Sequence, residues 1–247
     1  MSGDWFKIAF GELYPLVYPH RDVAEAARVA SRLAPIVASS RPVLDVACGD
    51  GRYMSALAAA GVDVYGVDLS EYLLGEAVKR AGLAGRLVCG DMRVLPFLSG
   101  AFGAAINMFT SFGYFDSDAD NVRVLGEIER VLARRGVFVL DFLNAVVVRS
   151  GIKPHTRRTV KDAEVDETRA LSHDGHVLTK RVHVRCPGRE PVEYVERVRL
   201  YTRDELRALV TGAGFDVSAE HGDYDLGAFD AASSPRLVLV NRKRSDA

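Results

Sequence analysis

The stretch PVLDVACGDG, residues Pro42–Gly51, joins a short apolar strand to a turn with two glycines, and a helical pattern follows from Arg52. Glycine adopts positive φ values at little cost, and it lets another molecule approach the backbone closely. In an open α/β sheet, ligands bind at the carboxyl ends of the strands. Gly49 and Gly51 therefore predict an α/β fold in which a ligand lies against the main chain after the first strand.

The same loop argues against a dinucleotide. A dinucleotide-binding loop would place a third glycine at position 54, where this chain has Met54. The residue between the two glycines is Asp50, and Asp45 lies in the preceding strand. Two carboxylates repel a diphosphate and suit a ligand that carries an ammonium or sulfonium group. A second interpretation of Asp50 stays open, because aspartate is also a favoured N-cap for the helix that follows.

Acidic residues also lie at the ends of the next two predicted strands. Residues Val62–Asp68 predict the second strand, which ends in Asp68, and residues Arg86–Met92 predict the third, which contains Asp91. The carboxyl ends of parallel strands meet at one edge of a sheet. We therefore expect these acids to share a ligand site with Asp45.

The pattern Asp45-x-Ala47-x-Gly49-x-Gly51 resembles the acidic-x-Gly/Ala-x-Gly-x-Gly signature of class I S-adenosylmethionine-dependent methyltransferases, small-molecule type. The resemblance covers residues 43–142 well and the rest in outline. It implies a Rossmann-like seven-stranded, mostly parallel sheet with helices on both faces, plus an antiparallel β insertion. It also implies S-adenosylmethionine as cofactor and S-adenosylhomocysteine as product. The cofactor contacts that it implies are Asp45, Ala47, Gly49, Asp50, Gly51, Asp68 (for the ribose diol), Leu69, Asp91 and Met92 (for the adenine corner), and Asn107.

Aromatic residues concentrate in two segments, Trp5–Tyr18 and Phe109–Phe115. The first resembles the part of small-molecule methyltransferases that folds over the cofactor, although packing onto the core is an equally good interpretation. The second resembles the segment that lines the methyl-transfer site. The family has no universal catalytic residue, so Tyr14, Tyr18 and Tyr114 are named as catalytic candidates that shape the aperture or bond the nucleophile. His20, His155 and His221 are weaker candidates for a base.

Four segments are expected along the chain: an N-terminal helical cap segment (1–40), the cofactor-binding α/β core (41–143), an antiparallel β insertion that forms a substrate layer (144–200), and a completion of the core (201–247). Within them the patterns predict helices over 23–37 (capped by Asp22), 52–60, 69–81, 118–133 and 202–211, and strands over 102–108, 137–142, 164–171, 177–185, 192–200 and 237–241.

Charge separates the possible partners. The formal net charge is −1, which argues against a nucleic-acid binder. Residues 149–203 nevertheless hold 13 Lys plus Arg against 8 Asp plus Glu. This excess predicts either an anionic acceptor or, as we favour, solvated faces of exposed strands.

Composition limits the remaining classes. The three cysteines show no pairing motif, and the histidines His173, His176 and His183 have no suitable ligand spacing, so no metal site is predicted. The chain shows neither a membrane-spanning run nor a secretory pattern at Met1–Trp5, so a cytoplasmic monomer or homodimer is expected. The absence of glutamine suggests a thermostable protein.

The leading hypothesis is an enzyme that methylates nitrogen or oxygen of a small molecule by in-line displacement. An RNA methyltransferase is the alternative, although residues Asn107–Thr110 lack the Asn/Asp-Pro-Pro-aromatic tetrad of many relatives that methylate bases. A protein that binds the cofactor without turnover is the third.

Overall fold

The computed structural model describes residues 5–19, 23–80 and 82–245. The predicted cap Asp22, the candidate base His20 and most of the segment Met1–Trp5 lie outside the described residues. The described helices are α1 (Trp5–Ala9), α2 (Tyr14–Val17), α3 (Val23–Val37), α4 (Arg52–Ala59), α5 (Glu71–Val78), α6 (Asp118–Val131), α7 (Ala145–Gly151) and α8 (Arg203–Gly212). The described strands are β1 (Val43–Val46), β2 (Val64–Asp68), β3 (Leu87–Cys89), β4 (Phe102–Asn107), β5 (Leu132–Leu143), β6 (His155–Val160), β7 (Ala163–Leu171), β8 (Val177–Arg185), β9 (Val192–Arg199), β10 (Phe215–His221) and β11 (Arg236–Lys243).

A seven-stranded sheet forms the centre of the molecule, in the order β10-β11-β5-β4-β1-β2-β3. Strands β1 to β5 pair in parallel, whereas β11 runs antiparallel to both of its neighbours. The predicted mostly parallel sheet is therefore confirmed. Chain order reverses at β1, which lies between β4 and β2. Because ligands bind where the strand order reverses, the glycine-containing loop after β1 lies at the expected position.

Helices cover both faces of this sheet, as predicted. One apolar cluster joins α3, α4 and α5 to one face and includes Leu33, Met54 and Leu57. The other joins α6 and α8 to the opposite face and includes Leu125 and Leu206. All four residues of β1 are buried, as expected for a parallel strand that helices cover on both sides.

The insertion is a four-stranded antiparallel sheet in the order β6-β7-β8-β9, and the predicted antiparallel insertion is confirmed. A third apolar cluster lies on one of its faces, where Val165 and Val182 pack with Trp5 and Phe6 of α1. The sequence missed β6, because five of its six residues are polar or charged and all positions are half-exposed or exposed. It also missed the short helix α7.

Several predicted boundaries are wrong, and the clearest three lie at α6, β5 and α5. Helix α6 ends at Val131 rather than at residue 133, and β5 begins at Leu132 rather than at residue 137. The pairing of β5 with β4 shifts register between Leu132 and Val137, and Arg135 has a φ of 60° within this irregular stretch. Helix α5 begins at Glu71 rather than at residue 69, because the side chain of Ser70 caps it. In the described part of the chain, no helix is long and apolar enough to cross a membrane.

Candidate active site

A cleft partly open to solvent lies at the carboxyl ends of β1, β2, β3 and β4, with about 1000 Å³ of empty space when its open part is counted. Eight of the ten residues predicted to hold the cofactor line it: Asp45, Ala47, Gly49, Asp50, Asp68, Leu69, Asp91 and Met92. Of the three tyrosines predicted to act in catalysis, Tyr14 and Tyr114 line it. The structure therefore brings most of the predicted site together, and it leaves Gly51, Asn107 and Tyr18 outside the lining.

Gly49 leaves room for a ligand beside the backbone. Its φ is 57°, and a Cβ added there would meet only the Leu73 Cδ1 atom, at 3.8 Å. Ala47 also has a positive φ, 59°. The left-handed conformation explains why the family commonly has glycine at this position. The loop thus exposes main chain to the cleft on both sides of Cys48.

Gly51 has a packing role instead. It is the N-cap of α4 with a φ of 71°, and an added Cβ would lie 2.7 Å from the Leu83 Cδ1 atom. The interpretation of Asp50 as helix cap is therefore wrong. The carboxylate of Asp50 pairs with Arg80, which also donates to the Asp50 carbonyl oxygen. This ion pair offsets part of the negative charge that the loop presents.

Asn107 is buried below the cleft. Its Nδ2 donates to the Val46 carbonyl oxygen at 2.9 Å and so ties β4 to β1. Asn107 is the last residue of β4, and its side chain points toward β1. It therefore does not line the cleft, where the sequence predicted a cofactor contact. Sequence spacing gives no sign of this pairing.

Asp68 ends β2 and accepts two backbone hydrogen bonds, from Gly49 at 2.7 Å and from Ser70 at 2.8 Å, one on each carboxylate oxygen. Burial raises the pKa of Asp68, and these hydrogen bonds oppose the rise. A carboxylate has about four lone-pair sites, so each oxygen keeps one for a ribose hydroxyl.

Asp91 lines the cleft, but its carboxylate is engaged by Arg93. The guanidinium donates Nη2 to Oδ2 at 2.6 Å, and the Arg93 backbone donates to Oδ1 at 2.8 Å. Burial acts to raise the pKa of Asp91, yet the hydrogen bonds from Arg93 hold it below its usual range. Arg93 also stacks on Phe115, with its Cζ 4.3 Å from the ring centroid.

Asp45 is a buried acidic residue of the cleft with one oxygen that makes no hydrogen bond to any described residue. Its side chain is 1% exposed, and within the described part of the protein its Oδ2 has no hydrogen-bond partner. Burial, and then the nearby charge of Asp68, hold the pKa of Asp45 well above its usual range. The nearby charge of Arg52 opposes this rise in part. A buried carboxylate with one unpaired oxygen at a cleft fits a ligand that brings an ammonium or sulfonium group.

Arg52 supplies the opposite charge to the same cleft and was missed in the sequence. It is 6% exposed, pairs with Glu25 at 2.6 Å, and places its Cζ 4.8 Å from the Phe109 ring centroid. The sequence did hold a signal for this role. A cation in the first turn of a helix interacts unfavourably with the helix dipole, so an arginine there suggests a function such as ligand binding. With Asp45, Arg52 matches the ammonium and carboxylate of an amino-acid moiety, so the chain's residues fit S-adenosylmethionine.

The aromatic segment 5–18, here called the N-terminal cover, closes one side of the cleft. Its residues Phe6, Lys7, Phe10 and Tyr14 are part of the lining. The rings of Trp5 and Phe10 lie 5.0 and 5.8 Å from the ring of Tyr114, measured between centroids. The cover therefore meets the exit of β4 across the cleft.

The exit of β4 forms the opposite wall with Met108, Phe109, Ser111, Tyr114 and Phe115. The histidines proposed as bases lie elsewhere. His155 pairs with Asp166 at 2.9 Å, and His221 Nδ1 lies 2.9 Å from the Leu226 carbonyl oxygen. Neither is part of the cleft lining.

Tyr18 lies between the cover and the insertion sheet. Its hydroxyl is 2.6 Å from Glu196 Oε2 and also bonds Lys180. Lys180 and Glu196 pair at 2.7 Å and are largely buried. This placement makes Tyr18 an anchor of the cover and removes it from the wall of the cleft.

Comparison with known proteins identifies the family. A methyltransferase-domain family model matches residues 43–136. The chain is 31% identical over 225 residues to dTDP-3-amino-3,6-dideoxy-alpha-D-glucopyranose N,N-dimethyltransferase of Streptomyces fradiae, covering 83% of each chain. It is 30% identical over 236 residues to dTDP-3-amino-3,4,6-trideoxy-alpha-D-glucopyranose N,N-dimethyltransferase of Streptomyces venezuelae, covering 88% of this chain and 94% of that one. The chain belongs to the S-adenosylmethionine-dependent methyltransferases.

A solved structure shows the same fold. The CcbJ methyltransferase of Streptomyces caelestis superposes with a TM-score of 0.79 at 22% identity, over 96% of this chain and 98% of that one. The sequence-based prediction of a small-molecule methyltransferase that uses S-adenosylmethionine is therefore confirmed.

Proposed function

We propose that this methyltransferase methylates the amine of a small-molecule amino sugar that is carried on a nucleoside diphosphate. The two Streptomyces relatives act on dTDP-linked 3-amino sugars, and each aligns with most of this chain. The observation that favours nitrogen over oxygen as the methyl acceptor is the set of residue types that line the cleft. Of the described residues, those that line the cleft include no histidine and no glutamate, and the four aspartates lie in or directly after β1, β2 and β3.

An amine nucleophile only has to be neutral, whereas a hydroxyl nucleophile benefits from a base that removes its proton. When bound, S-adenosylmethionine would supply a sulfonium methyl group, to whose carbon the amine lone pair would form the new C–N bond while the C–S electron pair leaves on sulfur. The chain's own contribution is alignment and the exclusion of water. Phe109, Ser111 and Tyr114 on one wall and Phe10 and Tyr14 on the other provide a mostly aromatic enclosure for this purpose.

Lys7 supports an anionic acceptor. It is an exposed residue of α1 and also lines the cleft, so it lies where the entrance meets solvent. A cation at the mouth of a cleft attracts a diphosphate as it approaches. The arginines of the insertion are not part of the cleft lining, and most pair with carboxylates, such as Arg181 with Glu193.

The test is an incubation of the wild-type protein with S-adenosylmethionine and dTDP-3-amino-3,6-dideoxyglucose, followed by mass spectrometry. We expect products with one and with two added methyl groups. The matched control is dTDP-6-deoxyglucose, which carries a hydroxyl in place of the amine and should not react. Methylation of the hydroxyl analogue, transfer to a total-RNA extract, or cofactor binding without any transfer would each contradict the proposal.

A further inference from the structure

We propose that Asp141 is a positioning residue for methyl transfer. Its buried carboxylate and its backbone carbonyl hold Phe109 and Thr110 in the left-handed backbone conformation that sets the wall of the cleft formed by the β4 exit, here called the acceptor wall. The inference rests on the proposed function in one respect, since the acceptor is what this wall places. Asp141 belongs to β5, is fully buried, and is not part of the cleft lining, so it acts through the residues it binds.

The corner after β4 is strained. Phe109 has a φ of 60° and Thr110 a φ of 62°. Left-handed conformation costs about 1–2 kcal/mol per residue for L-amino acids, and it is least favourable for a β-branched residue such as threonine. Two such residues in succession persist when the surrounding structure over-determines them. Phe109 and Ser111 both line the cleft, so the shape of the corner decides where the wall lies.

The side chain and the backbone of Asp141 hold both residues in this conformation through hydrogen bonds. Oδ2 accepts a hydrogen bond from the Phe109 backbone at 2.7 Å, and the Asp141 carbonyl oxygen accepts one from the Thr110 backbone at 3.2 Å. Oδ2 also accepts the Tyr224 hydroxyl at 2.8 Å, and Oδ1 accepts Arg236 Nε at 2.8 Å. One buried aspartate thus binds both strained residues and is itself fixed from two sides.

Arg236 extends the arrangement to the side chains of the corner. Its Nη2 donates to Thr110 Oγ1 at 2.7 Å, and its Cζ lies 5.5 Å from the Phe109 ring centroid. The Arg52 Cζ lies 4.8 Å from the same centroid. The Phe109 ring is therefore held by two guanidinium groups, and one of them keeps its position through Asp141.

Burial, and then the facing charge of Asp141, raise the pKa of Tyr224 far above its usual range. The Tyr224 hydroxyl therefore stays a proton donor to Oδ2 at all working pH values. Since three donors converge on the carboxylate, an amide in its place cannot satisfy them all. An asparagine offers one acceptor oxygen, and its NH₂ group would face a donor.

The first test compares Asp141→Asn with the wild type at a temperature where both are folded. We expect kcat for dTDP-3-amino-3,6-dideoxyglucose to fall on the order of 10- to 100-fold, because misplacement by about 1 Å can cost 100-fold. The dissociation constant of S-adenosylhomocysteine, measured by calorimetry, should stay unchanged, because Asp141 contacts the β4 exit and not the cofactor loops. If Asp141 acted on fold stability alone, kcat and the affinity for S-adenosylhomocysteine would fall together or both stay unchanged.

A second substitution separates positioning from stability. Thr110→Gly in the D141N background should restore part of the lost kcat, because glycine enters the left-handed region without penalty. In the wild-type background the same change should bring no gain. If D141N does not fold, Tyr224→Phe decides, since it removes one donor to Oδ2. The Tyr224 hydroxyl also bonds Tyr53 of the cleft lining, so Tyr53→Phe, which leaves the donors to Asp141 in place, is the control. A lower kcat with cofactor affinity kept supports the proposal, and an unchanged kcat overturns it.

Crystal structures keep the inference separate from the proposed function. In D141N with S-adenosylhomocysteine bound, we expect Phe109 or Thr110 to leave the left-handed region and the Phe109 ring to move. If the wild type does not methylate the amino sugar, the proposed function fails, and the backbone of this corner in the variant alone decides the role of Asp141. An unchanged corner would overturn that role.

Discussion

Ser70 and Phe10 are joined by a hydrogen bond of 2.6 Å, in which the Ser70 hydroxyl donates to the Phe10 carbonyl oxygen. The same hydroxyl accepts the Leu73 backbone N–H at 3.1 Å and so caps α5. The Ser70 backbone N–H in turn donates to Asp68. One serine therefore connects the carboxylate expected to bind the ribose to the N-terminal cover.

We expect Ser70→Ala to weaken binding of S-adenosylhomocysteine by about 2- to 10-fold, since a typical hydrogen bond contributes about 0.5–1.5 kcal/mol. The hydroxyl proton of Ser70 is donated to Phe10, so the loss of cofactor affinity would act through the N-terminal cover. Fluorescence of Trp5, the only tryptophan, reports the position of the cover. Ser117→Ala is the control, because Ser117 is also a serine N-cap, in this case of α6. Both variants should lose about 1 kcal/mol of stability; equal affinities in the two would refute the link.

Asp45 makes cofactor binding depend on pH. Because burial raises its folded pKa above the unfolded value, the folded, ligand-free protein binds more protons, and its stability falls as pH rises between these two values. A cationic ligand requires the ionised form. We therefore expect affinity for S-adenosylmethionine to rise with pH up to the raised pKa, with proton release on binding.

Calorimetry in buffers of different ionisation enthalpy measures that release. Asp45→Asn is the matched control, and it should bind weakly and without the pH dependence. A wild-type affinity that stays constant from acidic to neutral pH would show that Asp45 is already ionised or does not meet the cofactor.

Tyr18 and Tyr14 differ in what they contact, although the sequence placed both among the catalytic candidates. We expect Tyr18→Phe to cost about 1–2 kcal/mol of stability, because its hydroxyl bonds charged groups, and to leave kcat nearly unchanged. Tyr14→Phe should change kcat or KM for the acceptor with little loss of stability. Thermal unfolding and steady-state kinetics on both variants check this. A large fall of kcat in Tyr18→Phe would show that Tyr18 takes part in methyl transfer.

The sequence predicted the cofactor half of the cleft because its residues follow a local rule. Asp45, Gly49, Asp68 and Asp91 each lie at the end of a strand, and strand ends share one edge of the sheet. Long-range pairing decided the rest. The burial of Asn107 against Val46 depends on strands that are 61 residues apart in the chain, and no local pattern reports it.

The corner after β4 shows the same limit. Residues Phe109 and Thr110 form no turn signature, since neither is glycine or asparagine, and their conformation depends on Asp141 and Arg236, far along the chain. Likewise, Tyr18 looked like a cleft tyrosine because of its aromatic neighbours. Its partners Lys180 and Glu196 belong to the insertion and could not be assigned to it beforehand.

Lys7 is expected to attract an anionic acceptor. In Lys7→Gln, KM for dTDP-3-amino-3,6-dideoxyglucose should rise, and kcat/KM should lose part of its decrease with salt, because added ions screen exposed charges. Lys79→Gln is the control, since Lys79 is an exposed lysine at the C-terminal end of α5 that pairs with Glu76 and does not line the cleft. If kcat/KM of the wild type does not change with ionic strength, Lys7 has no steering role.

The insertion supports the cover and contributes no residue to the cleft lining, within the described residues. This gives the proposed substrate layer (144–200) an indirect role. Val182 is fully buried in the cluster that holds Trp5, Phe6 and Val17. Truncating it should loosen the packing beneath the cover, and the cover carries four residues of the cleft.

Val182→Ala should therefore lower stability by about 2 kcal/mol, from lost burial and a residual cavity, and also raise the dissociation constant of S-adenosylhomocysteine. Val131→Ala is the matched control: Val131 is equally buried, but it belongs to the cluster between α6 and the central sheet. It should lose similar stability at unchanged affinity. Because Trp5 packs in the affected cluster, its emission should shift in Val182→Ala alone. Equal affinities and equal emission in the two variants would show that the insertion stabilises the fold without holding the cover in place.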